Sequence, residues 1–537
     1  MIKGYWMPVL HSHLPFVKHP EYDYFLEEHW LFEAISETYI PLLMAMNRMV
    51  DEKIEFRLTL SVTPPLAEML SDPYLIDQFK KYVNRLIELS KKEVLRLSGD
   101  KETLKVAEFY LNRFETIKTF FEGFLNSNVL NGYRFFYEQG LIDIITCGAT
   151  HGFLPVLRVN KRAVEVQIEL AKETHKKYFN KDPEGIWLPE CAYYEGIDEI
   201  LKANGIKYFF LDSHGLMDGV PSPKHGVYAP IYTINGVAAF ARDPESSKQV
   251  WSSKAGYPGD PVYRDFYRDI GFDLDFEYIK PYISPDGKRV YTGLKYYKIT
   301  GEESEAKLIY DPEVAHAKTK SHAWHFYTER IKQIDMLSGA MDRPPLVVSP
   351  YDAELFGHWW FEGPEFLYNI FRETSQNDTI KAVTPLEYLG VHPTNQVIAP
   401  SPSSWGEDGY YSVWLNEGND WIYRHLHYMA DTLEKLANEY KHLLDEDSVA
   451  NSIKRRALNQ LARELLLAQS SDWAFLVTQE TAVEYSTKRT KEHISNFNRL
   501  LGDFLSVGID EKFLEWLEYK NSIFEDIDFK IYSSKYV

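Results

Sequence analysis

The amino-acid sequence predicts an α/β fold in which parallel strands form a barrel covered by helices. Three observations support this fold class. Short apolar strands alternate with helical patterns up to about Val391, polar or titratable residues follow the carboxyl end of each strand, and only helical patterns come after that point. Barrel enzymes place their chemistry on the loops that follow the strands, whereas the strand bodies stay apolar because both faces are covered.

Seven or eight stretches are predicted to be strands, so an incomplete barrel and a closed eightfold barrel both remain open. The second stretch, Phe56 to Val62, alternates with a period of two, and Thr63-Pro64-Pro65 ends it. The helix after the third strand has Asn160 as its expected N-cap. The predicted strands are residues 4–10, 56–62, 141–147, 185–188, 207–212, 237–241 and 346–350, with a last weak one near 381–383.

Three regions interrupt or follow this alternation. Residues 74–140 hold consecutive helical patterns rich in Lys, Glu and Leu, which predicts a helical subdomain inserted in the barrel. Residues 244–310 form a polar, aromatic insertion. A Pro- and Ser-rich linker near Pro400 precedes four helical stretches. We therefore expect a catalytic barrel at 1–398 and a C-terminal α-helical domain at 399–537.

Composition and charge exclude several classes of protein. The chain has 59 basic and 79 acidic residues, a formal net charge of −20, and no Lys/Arg block, which argues against nucleic acid as a partner. The N-terminus lacks the apolar region of a signal peptide and no apolar run approaches membrane length, so we expect a soluble cytoplasmic protein without a membrane partner. The two cysteines, Cys147 and Cys191, fit a reducing compartment.

Two of the predicted strands are each followed by a residue with a carboxylate side chain. The apolar strand at 185–188 leads to Glu190, and the strand at 346–350 leads to Asp352. A buried carboxylate often pairs with an arginine such as Arg242 in a structural role. A Gly-rich turn with several aromatic residues follows Asp352, and its exposed rings are hard to explain as part of a hydrophobic core. Two carboxylates at two strand exits predict acid/base or glycosidic chemistry.

The histidines of the first loop admit a second mechanism. His11 and His13 are two positions apart at a strand end, so their side chains point the same way and are candidates to share a metal ion. His151, His214 and Asp352 would be further ligands, which would give a metal-dependent barrel hydrolase. In the other interpretation one imidazole bonds a carbonyl and the other a ligand hydroxyl.

Aromatic residues indicate a sugar-binding cleft between the barrel and the helical domain. The aromatic content is 15%, with 37 Tyr and 12 Trp, and such amphipathic rings suit an uncharged, hydroxyl-rich ligand. Trp359 and Trp360 are adjacent, so one of them is free to face a ligand. Residues 219–236, with Tyr228 and Tyr232, are the candidate lid. Further candidate binding residues are Trp187, His214, Arg242, Trp405, Trp414 and Trp473.

Five ordered motifs resemble those of glycoside hydrolase family 57, and the resemblance covers nearly the whole chain. The stretch from Trp251 to Asp260 and the segment Ser471-Asp472-Trp473 are similar to the branching-enzyme members and to the closely similar α-amylase members. Such members have an incomplete (β/α)7 TIM-like barrel with an inserted helical subdomain and a C-terminal helical domain. The five motifs are His11-Ser-His-Leu-Pro-Phe, Thr150-His-Gly-Phe, Gly185-Ile-Trp-Leu-Pro-Glu-Cys-Ala-Tyr, Ser349-Pro-Tyr-Asp-Ala-Glu-Leu-Phe-Gly-His-Trp-Trp and the region from Trp405 to Trp421.

The resemblance implies a retaining enzyme that acts on α-1,4-glucans such as amylose, amylopectin or glycogen, with no cofactor and no metal. Glu190 would be the nucleophile and Asp352 the general acid/base. The first expectation is a 1,4-α-glucan branching enzyme; an α-amylase or a 4-α-glucanotransferase is the alternative, because the interval from Glu190 to Trp251 is short for the mobile lid of branching members. The resemblance implies that the substrate subsites are lined by His11, His13, His151, Trp251, Trp405, Trp414, Asp472 and Trp473.

A retaining mechanism sets two requirements on the pair. The two carboxyl groups must lie roughly 5 to 5.5 Å apart, and their pKa values must be shifted apart so that Glu190 is ionised while Asp352 is protonated. We expect the histidines to favour ionised Glu190. We expect an apolar wall of Trp359 or Trp360 to keep Asp352 protonated.

Overall fold

The computed structural model describes residues 2–252, 255–300, 307–445, 448–506 and 508–534. Parts of the predicted 244–310 insertion and of the C-terminal domain therefore lie outside the described residues. Within the described ranges two sheets build the barrel. Their strands are β1 (Gly4–Ser12), β2 (Leu58–Val62), β3 (Ile142–Ile145), β4 (Gly185–Ile186), β5 (Tyr208–Leu211), β6 (Ile231–Tyr232), β7 (Ala238–Ala241), β8 (Leu346–Asp352) and β9 (Ile380–Ala382).

Seven parallel strands follow one another around the barrel. One sheet has the order β3-β2-β1-β8, with β9 also paired to β1, and the other has the order β4-β5-β7-β6. A parallel bridge between Thr146 and Ile186 joins β3 to β4. Between β7 and β8 the described chain forms no ladder, and one hydrogen bond of 2.9 Å links the Asp243 N–H to the Val348 carbonyl oxygen. The ring is therefore an incomplete (β/α)7 barrel, as predicted, and the eightfold alternative is wrong.

The register of β1 brings the ends of three strands to one level. His11 is opposite Ser61 of β2 on one side and opposite Asp352 of β8 on the other. All nine residues of β1 are buried, since helices cover the outside and side chains fill the inside. A separate core of buried side chains contains Trp187, Cys147 and Cys191.

Helices surround the barrel and fill the first insertion. Asn160 caps the helix Lys161–Phe179, as predicted, because its side chain accepts a hydrogen bond from the Ala163 N–H. The stretch predicted as a helical subdomain consists of the helices Pro73–Arg96, Lys101–Glu122 and Val129–Glu138. The other helices of this part are Glu28–Ala34, the π-helical turn Ile35–Tyr39, Ile40–Asp51, Pro64–Ser71, Leu154–Leu157, Lys161–Phe179, Ile197–Ala203, Ser213–Met217, Pro244–Trp251, Ile270–Asp273, Phe276–Ile279, Pro312–Ser338, Gly363–Gln376 and Pro385–Val391.

From Trp421 onward the described residues of the C-terminal part form mainly helices. Four helices correspond to the four predicted stretches, and a fifth, Ser471–Thr478, was not predicted because only Gln469 and Ser470 separate it from the helix before it. No helix among the described residues is both long and apolar enough to cross a bilayer. The C-terminal helices are Trp421–Tyr440, Val449–Ala468, Ser471–Thr478, Val483–Leu505 and Glu511–Lys520.

A glycine fixes the loop that follows β8. Gly357 has a φ of +119°, and a Cβ built there would lie 1.9 Å from the carbonyl oxygen of Glu37 in the π-helical turn Ile35–Tyr39. The Glu37 carboxylate accepts a hydrogen bond of 2.7 Å from Nδ1 of His358, the next residue along. The loop therefore packs backbone to backbone against the turn, and only glycine leaves room for this contact.

We expect Gly357→Ala to destabilise the protein, because the new methyl group meets a backbone carbonyl and the alanine must adopt a left-handed φ. The free energy of unfolding should fall by about 3 kcal/mol or more, measured as a lower midpoint in thermal unfolding. Gly390→Ala is the matched control, since no heavy atom lies within 4 Å of its added Cβ. Equal midpoints for the two variants would contradict the packing described.

Candidate active site

Glu190 leaves the barrel in a strained backbone conformation. After β4 the chain enters the 3-10 turn Pro189–Cys191, in which Glu190 has φ 61° and ψ 22° and Cys191 has φ 52°. Left-handed φ values in non-glycine residues are unfavourable by about 1–3 kcal/mol each and concentrate at functional sites. The turn directs the Glu190 side chain into a cleft at the carboxyl end of the strands.

Two donors from the C-terminal part of the chain hold the Glu190 carboxylate. The indole N–H of Trp405 donates to Oε2 at 3.0 Å, and the hydroxyl of Ser471 donates to Oε1 at 2.8 Å. The backbone N–H of Trp405 also donates to the Glu190 carbonyl oxygen at 3.1 Å. Both carboxylate oxygens are therefore oriented before any ligand arrives.

Three histidines form the floor beside Glu190. The Nε2 atoms of His11 and His151 are 3.0 Å apart, and Nδ1 of His11 lies 3.1 Å from the Ser61 hydroxyl. The rings of His13 and His151 stack with centroids 3.7 Å apart and planes 12° from parallel. Burial, followed by the neighbouring imidazoles, lowers the pKa of His11 well below its usual value, and burial likewise lowers that of His151. Both rings are neutral.

His13 carries the positive charge of this cluster. Its Nε2 lies 2.9 Å from Oδ2 of Asp472. Burial alone would lower the pKa of His13, but the Asp472 carboxylate and, more weakly, that of Glu190 raise it above the usual value. Burial would raise the pKa of Asp472, but His13 holds it at about 2. The pair is therefore an imidazolium and a carboxylate.

Asp352 lies across the same cleft in a different electrostatic environment. Burial raises its pKa well above the usual range, and the carboxylates of Glu354 and then Glu190 raise it further, against the opposing charge of Arg242. The pKa of Glu190 is also raised, mainly by burial, although the hydrogen bonds from Trp405 and Ser471 oppose part of this shift. The pKa of Asp352 is raised more strongly than that of Glu190, so Asp352 keeps its proton to higher pH. The causes differ from those expected: Trp405 and Ser471 favour ionised Glu190 more than His13 does, and burial with the Glu354 carboxylate raises the pKa of Asp352.

The cleft has a volume of about 490 Å³ and unites most of the predicted residues. Trp359 lies at its rim, 56% exposed, and stacks on Phe266 with centroids 4.5 Å apart. Trp251 stands edge-on to Trp405 at 6.1 Å. The predicted residues that line the cleft are His11, His13, His151, Glu190, Arg242, Trp251, Asp352, Trp359, Trp405, Trp414 and Asp472.

Three predicted tryptophans do not line the cleft. Trp187 is fully buried inside the barrel and supports His11 from below, with ring centroids 5.2 Å apart. Trp360 is 2% exposed and packs on Phe366 at 4.7 Å, so of the adjacent pair only Trp359 faces the cleft. Trp473 is also buried, and its indole N–H donates to the Leu467 carbonyl oxygen at 2.8 Å. Each fills core volume.

The predicted lid lies on the wrong face of the barrel. Tyr232 pairs with Ala238, the first residue of β7, and its hydroxyl donates to the Pro393 carbonyl oxygen at 3.2 Å. The Tyr228 carbonyl oxygen accepts from the N–H of Leu346, the first residue of β8. Strands begin at the end of the barrel opposite to the catalytic loops, so neither tyrosine reaches Glu190. The segment 219–236 closes the bottom of the barrel and is not a lid.

His214 has a structural role beside the cleft. Its Nε2–H donates to the Gly409 carbonyl oxygen at 2.6 Å, and its Nδ1 lies 3.2 Å from Oδ1 of Asp212. Asp212 in turn forms an ion pair with Arg242, which does line the cleft. His214 therefore holds the loop 406–410 in place and does not face the cleft itself.

The predicted metal ligands do not converge on one point. Among the described residues, two groups of side chains bring a ligand atom each within 4.8 Å of one another: His11, Cys147 and His151, and His13, His151 and Asp472. Neither includes His214 or Asp352. A zinc ion lies about 2.0–2.1 Å from a ligating nitrogen and in the plane of its ring. The stacked rings of His13 and His151 lie 3.7 Å apart and cannot both meet that condition.

Two residues near the carboxylates were missed at the sequence level. Glu354 lines the cleft, and its Oε1 accepts from the His13 N–H at 3.1 Å and from the Tyr39 hydroxyl. Glu354 could have been predicted as a cleft residue, because it lies two residues after Asp352 and follows the same strand. Ser471 was noted only as a neighbour of Asp472. The cleft is also lined by Leu14, Gly406, Glu407, Val413, Phe475 and Gln479.

Comparisons with known proteins found relatives that cover both the barrel and the C-terminal part. Residues 425–532 match the profile of the 1,4-alpha-glucan branching enzyme C-terminal region. The alpha-amylase AmyC structure from Thermotoga maritima is 45% identical with a TM-score of 0.92, covering 99% of this chain and 100% of that chain. The GH57-type branching enzyme structure from Pyrococcus horikoshii is 32% identical with a TM-score of 0.88, covering 99% and 97%.

A sequence relative extends the likeness. The 1,4-alpha-glucan branching enzyme TK1436 of Thermococcus kodakarensis is 33% identical over an alignment that covers 98% of this chain and 78% of that protein. Residues 8–400, which include both carboxylates of the cleft, match the profile of Glycosyl hydrolase family 57. The chain therefore belongs to glycosyl hydrolase family 57.

Proposed function

We propose that this chain is a retaining 1,4-α-glucan branching enzyme, with Glu190 as nucleophile and Asp352 as general acid/base. The observation that carries the proposal is that one cleft holds both carboxylates, with the pKa of Asp352 raised well above its usual range and Glu190 stabilised by two hydrogen-bond donors. These are the two protonation states that a retaining glycosidic mechanism requires at its start.

The reaction follows from these states. The Asp352 carboxyl group donates its proton to the glycosidic oxygen of an α-1,4 bond while the Glu190 carboxylate attacks C1, which releases the reducing-side chain and leaves a glycosyl ester on Glu190. Asp352, now ionised, removes the proton from a 6-hydroxyl, whose oxygen attacks C1 and frees Glu190. A separation of roughly 5 to 5.5 Å between the two carboxyl groups stays a prediction.

The other cleft residues supply the substrate contacts in this proposal. The indole of Trp359 offers an exposed face for a sugar ring. Trp414 lines the cleft with a side chain that is only 1% exposed, so it shapes the cleft wall. The imidazolium of His13 and the carboxylate of Asp472 would bond neighbouring hydroxyl groups. Arg242 and Trp251 complete the subsites that we propose.

Branching is favoured because the C-terminal region matches that of branching enzymes and contributes to the cleft. Phe475 and Gln479 reach the cleft from the helix Ser471–Thr478 and the residue after it. Because the C-terminal helical domain forms one wall of the cleft, we propose that a second glucan chain, the acceptor, binds there beside the glucan chain that is cleaved. We therefore propose that the barrel, 1–398, and the helical domain, 399–537, act as one unit.

Hydrolysis is the second candidate, and two observations favour it. The alpha-amylase from Thermotoga maritima is more similar to this chain than the two branching enzymes compared above, at 45% against 32% and 33% identity. The segment 219–236 also leaves the cleft uncovered, so water can compete with a sugar hydroxyl for the glycosyl ester. Transfer to a 4-hydroxyl, as in a 4-α-glucanotransferase, would use the same intermediate.

The proposal extends to substrate and cellular setting. The cleft accepts an α-1,4-glucan such as amylose, amylopectin or glycogen, and branching of such chains is a step in glycogen biosynthesis. Cys147 and Cys191 are both buried free thiols, which supports a reducing, cytoplasmic location.

Incubation with amylose tests the function directly. We expect the product to contain new isoamylase-sensitive branches, and we expect Glu190→Gln or Asp352→Asn to lower the rate by about 10³-fold. The matched control is Glu195→Gln, which changes an exposed glutamate that is not among the residues lining the cleft. New reducing ends without new branches would show that the enzyme hydrolyses amylose and does not branch it. If the wild-type protein binds amylose without turnover, and the Glu190→Gln/Asp352→Asn double variant binds it equally well, the protein is a non-catalytic glucan-binding protein.

The pH profile of kcat/KM tests the role of Glu354. Activity requires Glu190 ionised and Asp352 protonated, so rising pH abolishes activity when Asp352 loses its proton. Glu354→Gln removes a negative charge that raises the pKa of Asp352, so the alkaline limb should move down by about one pH unit. Glu407→Gln, also in the cleft wall, should leave that limb in place. If the alkaline limb stays in place in both variants, Glu354 does not raise the pKa of Asp352.

Metal removal separates the two mechanisms. We expect full activity after dialysis against EDTA, because the predicted ligands do not converge and the stacked imidazoles of His13 and His151 cannot share an ion. The measurement is the branching rate before and after dialysis, with zinc added back as the control. A loss that zinc reverses would favour the metal-dependent hydrolase.

A further inference from the structure

The hydroxyl of Ser471 lies between the nucleophile and the histidine floor. Its Oγ is 2.8 Å from Oε1 of Glu190 and 2.8 Å from Nδ1 of His151. Ser471 is 2% exposed and is the first residue of the helix Ser471–Thr478. It is not among the described residues that line the cleft, so it acts on a ligand only through its neighbours.

We infer that Ser471 is a positioning residue for Glu190. It is the final donor in a series of hydrogen bonds that begins in the barrel and in which every donor points toward Glu190. The inference rests on the proposed function, in which Glu190 is the ionised nucleophile. It assigns to the C-terminal helical domain a specific part in the chemistry, because the domain supplies the hydroxyl that the barrel lacks at this point.

The direction of the chain follows from its two ends. An ionised carboxylate only accepts, so the Ser471 hydroxyl donates to Glu190 and its oxygen accepts from Nδ1–H of His151. The other nitrogen of a neutral His151 then has a lone pair, which accepts from Nε2–H of His11 at 3.0 Å. Nδ1 of the neutral His11 accepts from the Ser61 hydroxyl at 3.1 Å. Every proton of the chain points toward Glu190.

The neutrality of the chain matters for the nucleophile. An arginine or lysine against Glu190 would ionise it strongly but would also hold its lone pairs in a tight ion pair. Four neutral donors in series stabilise the carboxylate less and fix the rotamer and the tautomers at the same time. The imidazolium of His13 is already paired with Asp472, whose Oδ2 lies 2.9 Å from its Nε2.

The backbone fixes Ser471 independently of its hydroxyl. The Ser471 N–H donates to the His151 carbonyl oxygen at 3.0 Å. The preceding residue, Ser470, forms an antiparallel bridge with Gly152. The start of the helix is therefore attached to the loop after β3, and loss of the hydroxyl alone should leave this attachment intact.

Carbodiimide labelling of Glu190 provides a test that does not depend on turnover. Carbodiimide with glycine ethyl ester modifies protonated carboxyl groups, and peptide mass spectrometry follows the labelling of Glu190 against pH. We expect Ser471→Ala to raise the midpoint for Glu190 by about one pH unit, since a hydrogen bond to the ionised form is lost. Ser471→Thr, which keeps the hydroxyl, should retain the wild-type midpoint.

Ser486→Ala is the matched control. Ser486 is a buried serine of the same domain whose hydroxyl donates to the Val483 carbonyl oxygen of its own helix turn. It should leave the midpoint unchanged. Should Ser471→Ala fail to fold, Ser471→Cys places a much weaker donor at the same position and must raise the midpoint in the same direction.

Steady-state kinetics on amylose give the second readout. Ser471→Ala should shift the acid limb of the pH profile upward by the same interval and lower kcat about tenfold at neutral pH with KM unchanged, because Ser471 does not touch the substrate. An unmoved labelling midpoint, or a change in KM alone, would overturn the inference. A wild-type enzyme that does not turn over amylose would instead refute the proposed function, and the labelling result would still decide the role of Ser471.

Discussion

The hydrogen bonds to the two carboxylate oxygens of Glu190 are the contacts on which the site depends. Trp405 donates one and Ser471 the other, from positions 215 and 281 residues further along the chain. Neither donor belongs to a strand of the barrel. The barrel alone would present Glu190 on its strained turn but with both oxygens free to rotate. The barrel and the C-terminal part therefore build this cleft together.

Strand exits were the most informative part of the sequence. A parallel barrel brings all carboxyl ends of its strands to one face, so Glu190, Asp352 and the histidines of the first loop were predictable as neighbours from strand positions alone. The register of β1 between β2 and β8 explains why this worked, since His11 lies level with both flanking strand ends. Position along a strand thus determined position in the cleft.

Side-chain direction and strand polarity could not be read in the same way. Tyr228 and Tyr232 follow β5 in sequence, but the chain has returned to the opposite end of the barrel by this point. Tyr228 contacts the first residue of β8 there, and Tyr232 pairs with the first residue of β7. Trp359 and Trp360 look equivalent in sequence, and only tertiary packing buries one of them. Ser471 was not assigned a role because its partner, Glu190, is remote in the chain and no local pattern marks a hydroxyl that completes a distant carboxylate.

The seam between β7 and β8 has a consequence for the position of Trp251. One backbone hydrogen bond crosses it, and the chain inserts the segment that carries Trp251 between these two strands. No ladder joins β7 to β8 among the described residues, so this edge of the ring is held mainly by side-chain contacts. The incomplete ring therefore places Trp251, which lines the cleft, on a connection that spans the open edge and not on a closed pair of strands.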